Sequence, residues 1–132
     1  MLVAAGGATG SALRYVASGF AQRHFAAGTN LLGMPALPTG TMLVNLTGSF
    51  LIGMLAGLVE ARGMPGPGMR LLLVTGVLGG YTTFSALSLE TLLLLRGGQS
   101  GTALISVAAQ LVVGVAAAWA GFAGAVAFGR AG

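Results

Sequence analysis

Four apolar runs alternate along the chain with short pieces rich in Arg, Gln, Gly and Pro. Each run is long enough to cross a bilayer core, which takes about 20 residues as a helix. They extend from about Met1 to Phe20, Thr41 to Val59, Met69 to Leu95 and Thr102 to Phe128. Gln22-Arg23-His24 opens the first connection, a loop that carries Asn30, Pro35 and Pro38. Glu60-Ala61-Arg62-Gly63 leads to Pro65 and Pro67, and Arg96-Gly97-Gly98-Gln99 makes the third break. All four prolines fall in these connections, where a missing backbone N–H does no harm. The pattern predicts an all-α membrane protein, one domain over 1–132, with four transmembrane helices. The first run lacks a basic start and holds Arg14 inside it, so it reads as a retained helix rather than a cleaved signal.

The third run is longer than a crossing needs, and its centre reads Gly79-Gly80-Tyr81-Thr82-Thr83-Phe84-Ser85. Paired glycines followed by paired β-branched threonines disfavour a continuous helix, which predicts a break at membrane depth near 79–83. A break there frees backbone carbonyls, which lipid tolerates only if they are buried or line a wet cavity. The carbonyls of Gly79 and Thr82 are then candidate cation ligands; the competing reading is a packing kink with hydroxyls bonded back one turn.

Other polar residues inside apolar runs are site candidates because lipid makes them costly. Arg14 either snorkels to the interface or attracts an anion at a pore mouth. Thr41, Asn45 and Gly48 share one face of the second helix, and Asn45 either ties two helices together or donates its NH₂ to an anion. Phe84 and Ser88 lie one turn apart, with Ser85 beside Phe84; the ring offers a positive edge to an anion or simply packs. Glu90 is a proton site or the partner of an arginine. Ser106, Gln110 and Gly114 form a polar stripe on the fourth helix.

Composition narrows the function classes. The chain is 55% hydrophobic and only 6% charged, against about 25% charged for a soluble domain. That excludes a soluble enzyme and a disordered chain. The 24 glycines are interleaved with Leu, Val and Ala, and pairs such as Gly6/Gly10, Gly53/Gly57 and Gly114/Ala118 permit close helix contacts. Without cysteine there is neither a disulfide nor a thiolate metal site. The net charge of +4 comes from six arginines scattered singly, which reads as membrane-edge anchoring and not as a nucleic-acid patch. With four crossings, one side holds Arg62, Arg70 and Arg130 and the other holds Arg23 and Arg96. That bias is weak, so a fixed topology and insertion both ways round are both open. Four helices are few to enclose a polar path, which argues for a homo-oligomer. A hydrolase would need a base near a Ser or Thr nucleophile, and no such pair is evident.

Three blocks of sequence resemble the Fluc-type fluoride channels, the CrcB family. They are Gly6-Gly7-Ala8-Thr9-Gly10-Ser11-Ala12-Leu13-Arg14-Tyr15, Gly40-Thr41-Met42-Leu43-Val44-Asn45-Leu46-Thr47-Gly48-Ser49-Phe50, and Gly79-Gly80-Tyr81-Thr82-Thr83-Phe84-Ser85 with Glu90 following. The resemblance spans nearly the whole chain. It implies an antiparallel, dual-topology homodimer in the cytoplasmic (inner) membrane, passing fluoride out of the cell passively. It also implies a structural sodium ion at the dimer interface, held by the carbonyls of Gly79 and Thr82. On this reading the fluoride pathway comprises Thr41, Asn45, Phe84, Ser85, Ser88 and Gln110, with Arg14 and Glu90 at its mouth or in its frame. The partners implied are fluoride, membrane lipid and a second subunit.

The chain departs from the family pattern at Leu87, where a second phenylalanine is usual, at Ala86, where a threonine is common, and at Ser106, where a tyrosine is common. Leu87 offers no ring edge. Slower conduction, Gln110 as a substitute donor, and a heterodimer with a paralogous subunit are the three readings of that departure. The alternative function is a small proton-coupled multidrug exporter, also four-helix and dual-topology. Such exporters depend on a glutamate in the first helix, where this chain has Arg14 and no acid.

Overall fold

A computed structural model describes residues 1–25 and 37–131; Asn30 and Pro35 lie outside them. Among the described residues all regular structure is helical. Helix α1 spans Leu2–Phe25 and α2 spans Thr39–Arg62. The third segment starts as a short turn, α3 (Pro67–Arg70), widens into a π-helix over Leu71–Leu78 and returns to α geometry in α4 (Gly79–Tyr81). It resumes as α5 (Phe84–Arg96), and α6 runs over Ser100–Ala131. Among the described residues three stretches are long and apolar enough to cross a membrane, where four were expected: Thr39–Arg62, Pro67–Arg96 and Ser100–Arg130. Helix α1 has 24 residues but a less apolar composition.

The ends follow from local chemistry. Gly63 closes α2 in the left-handed conformation (φ 65°), its N–H donating to the Val59 carbonyl at 2.9 Å. Pro67 sits at the start of α3, where no N–H is needed. Helix α1 runs five residues past the expected end at Phe20, so Gln22, Arg23 and His24 are helical. His24, expected in a loop, stacks on Phe20 with ring centroids 4.1 Å apart, and its Nδ1 lies 3.0 Å from the Phe20 carbonyl. Amphipathic side chains let a helix project beyond an apolar run, and the sequence pattern marks only the run.

Small residues set the packing. A Cβ on Gly53 would lie 1.9 Å from the Ala118 carbonyl oxygen, and one on Gly57 would lie 2.5 Å from that of Phe122. Helices α2 and α6 therefore touch backbone to backbone. Gly6 meets Leu72 and Gly76 in the same way, and Gly10 meets Val77, which presses α1 onto the π-helix. Gly40 seats α2 against Ser18 of α1. The small-residue spacings thus serve contacts within the chain. Close approach of this kind gains dispersion contacts, the main attraction available between helices in lipid. Many large apolar side chains point outward, among them Trp119, Val112 and Phe128, as lipid-facing residues do.

Candidate functional site

Helical hydrogen bonding stops after the Thr82 N–H, which still donates to the Leu78 carbonyl at 2.9 Å. Thr82 and Thr83 are extended (ψ 157° and 115°), and α5 begins at Phe84. The local reasons are two. Thr82 turns its hydroxyl back on the Leu78 carbonyl at 3.0 Å. Thr83 is the N-cap of α5, its Oγ1 accepting from the Ala86 N–H at 3.2 Å.

Asn45 crosses from α2 to fill this gap. The Thr83 N–H donates to Asn45 Oδ1 at 2.9 Å, in place of the Gly79 carbonyl that a continuing helix would use. Asn45 Nδ2 donates to the Thr83 carbonyl at 3.3 Å and to Gln110 Oε1 at 2.7 Å. Gln110 Nε2 in turn faces Ser106 Oγ at 3.4 Å. One amide therefore joins α2, the helix break and α6. The Gly79 carbonyl loses its intrahelical donor, and the Thr82 carbonyl lies outside any helix.

Two grooves flank this junction. One, of about 350 Å³, is lined by Asn45, Gly48, Ser49, Gly79, Thr82, Thr83, Phe84 and Leu87, among others. The second, of about 370 Å³, is lined by Ser11, Arg14, Ser18, Gln22, Thr41 and Thr83, among others. Thr83 belongs to both and forms part of the wall between them. Arg14, half-buried on α1, is the cation of the second groove.

The remaining sequence candidates divide. Phe84 is 78% exposed at the rim of the first groove and is not a packed core ring. Leu87 is buried in that groove's wall. Ser85 is exposed, with its Oγ 3.1 Å from Thr83 Oγ1. Ser88 is exposed and donates to the Phe84 carbonyl. Thr41 is buried and donates to Glu90 Oε1 at 2.5 Å, and Glu90 Oε2 is buried without a partner. Among the described residues Glu90 pairs with this threonine rather than with an arginine. Gln110 is buried behind Asn45 and is not among the lining residues of either groove. The sequence does not single out Thr83. The paired threonines mark it only as part of a helix break, not as a groove residue.

A family model described as "CrcB-like protein, Camphor Resistance (CrcB)" matches residues 1–122. A protein of Methylobacillus flagellatus named "Fluoride-specific ion channel FluC" is 49% identical over 92% of this chain and 90% of its own length. One from Rhizobium meliloti with the same name is 46% identical, covering 93% and 92%. One from Thermus thermophilus, again so named, is 44% identical, covering 92% and 89%. With a family match over most of its length and relatives of this similarity, the chain belongs to the CrcB family.

Proposed function

We propose that this chain is a subunit of a fluoride-selective channel that carries fluoride out of the cell passively across the cytoplasmic membrane. The names of the relatives support the ion. The observation that carries the reading is the Asn45 junction: a broken membrane helix whose gap is filled by an amide, between two grooves. Fluoride is small and strongly hydrated, so a pathway must replace its water with donors of similar strength. Asn45 and the hydroxyls of Thr41, Ser85 and Ser88 are donors of that kind, three of which would exchange a present bond for the ion: Asn45 one of its bonds to Thr83 and Gln110, Thr41 its bond to Glu90 and Ser88 its bond to the Phe84 carbonyl; the Phe84 edge adds a weaker donor. They bring no full positive charge that would trap the ion. Arg14, at the second groove, raises the local anion concentration instead. The process is transport and involves no covalent chemistry. The exporter alternative is set aside on the family match.

The carbonyls of Gly79 and Thr82 fit a sodium ion in chemistry, since both are oxygen acceptors released from helical bonding. Two carbonyls do not complete a coordination shell. An antiparallel second copy bringing the same two would supply a four-oxygen site at the interface, and its charge would stabilise that interface. A heterodimer is the second reading. It rests on Leu87, which puts an aliphatic side chain in the groove wall.

The test is fluoride release from liposomes holding only this purified chain, read with a fluoride electrode, with chloride as control. Release of fluoride without chloride is the expected result. A folded dimer that releases nothing would require a partner chain, and equal chloride release would eliminate the fluoride channel.

A further inference from the structure

Both amide orientations at the junction are dictated by one backbone group. The Thr83 N–H can only donate, so it must face Asn45 Oδ1, at 2.9 Å. Asn45 Nδ2 is thereby turned toward α6 and requires an acceptor there. Gln110 supplies it with Oε1 at 2.7 Å, the shortest of the three Asn45 side-chain bonds, and turns its own Nε2 to Ser106. Gln110 and Ser106 are both buried, so water does not substitute readily for either. The order of dependence runs inward from α6: Gln110 orients Asn45, and Asn45 orients Thr83, which is shared by the two grooves.

We propose that Gln110 is a positioning residue, which fixes the wall between the two grooves by accepting from Asn45, and is not itself a donor to the passing anion. This rests on the channel reading only for its effect on fluoride; its effect on Thr83 stands independently. A donor role would need a Gln110 N–H facing a groove, whereas Nε2 points to Ser106 and the residue lines neither groove.

The experiment uses the full chain in liposomes and two substitutions. Gln110→Met keeps length and volume and removes the acceptor. Gln110→Glu keeps an acceptor toward Asn45. Hydrogen exchange at the Thr83 amide is measured alongside fluoride release. In Gln110→Met, exchange at Thr83 is expected to rise roughly tenfold, as loss of one hydrogen-bonded support would give. Exchange across the contact of α1 with the π-helix should stay at the parental rate, and fluoride release should fall. Gln110→Glu should retain Thr83 protection. Adding Gln110→Met to Asn45→Ala should leave Thr83 exchange where Asn45→Ala alone puts it, because Gln110 acts through Asn45. Unchanged Thr83 exchange in Gln110→Met, or a further rise in the double variant, would overturn the proposal. So would an equal rise throughout the chain, which marks general loosening. If the parental chain releases no fluoride, the self-sufficient channel gives way to one that needs a partner chain, and equal chloride release ends the fluoride reading; in either case Thr83 exchange still decides the role of Gln110.

Discussion

Replacing Asn45 with aspartate separates its structural work from its work on the ion. Asn45→Asp keeps an oxygen for the Thr83 N–H, so the 2.9 Å bond survives. The second carboxylate oxygen then faces Gln110. The glutamine amide answers by rotating, so that Nε2 donates to the carboxylate and Oε1 accepts from Ser106, whose hydroxyl can reverse its role. The 3.3 Å bond to the Thr83 carbonyl becomes an oxygen–oxygen contact, which costs about 1–3 kcal/mol. The fold should survive with a drop in thermal midpoint. The pathway should not. A carboxylate about 4 Å from a passing anion repels it by about 4 kcal/mol at an effective dielectric constant of about 20. At about 1.4 kcal/mol per tenfold, that slows passage by roughly a thousandfold. Fluoride-electrode release at neutral pH measures the rate, and thermal unfolding in detergent measures the fold. Asn45→Ala is the comparison. It removes the charge effect but strands the Thr83 N–H and the buried Gln110 oxygen, at about 1–3 kcal/mol each, so its loss is one of stability. Parental release rates in a well-folded Asn45→Asp protein would refute the placement of Asn45 on the anion's route.

Two further outcomes follow from the packing and the cap. Gly53→Ala places a methyl 1.9 Å from the Ala118 carbonyl oxygen, so α2 and α6 must separate, at about 1–3 kcal/mol of stability by thermal unfolding. Gly124→Ala, where nothing lies within 4 Å, is the control and should be neutral or slightly stabilising. Thr83→Val keeps the shape and removes the oxygen that caps α5, which should lower stability by about 1 kcal/mol in the same measurement and raise hydrogen exchange at Ala86.

The apolar stretches of the second, third and fourth helices were legible along the chain, because hydropathy marks them within a few residues. Their ends were not: α2 runs to Arg62 past the expected Val59, the third segment starts at Pro67 before the expected Met69, and of the expected break over 79–83 only Thr82 and Thr83 leave the helix, because caps and side-chain bonds that the hydropathy pattern does not encode set where helices stop. The three motif blocks carried the family as well. The partners of the polar groups were not legible. Asn45 meets Thr83 across 38 positions and Gln110 across 65, and Thr41 meets Glu90 across 49. Such pairings depend on how helices are rotated and how closely they cross, and here glycines at backbone contact set both. Periodicity put Gln110 on a polar stripe, but only the packing of α2 on α6 decided that the stripe turns inward, behind Asn45, and not toward a groove. Likewise Thr83 read as a helix breaker, and became the wall between two grooves only when Asn45 arrived from another helix to take its N–H. Local chemistry determined where this chain stops being a helix. Long-range packing decided which group fills the gap, because a freed backbone donor in an apolar setting must find an acceptor, and only the tertiary arrangement brings one within reach.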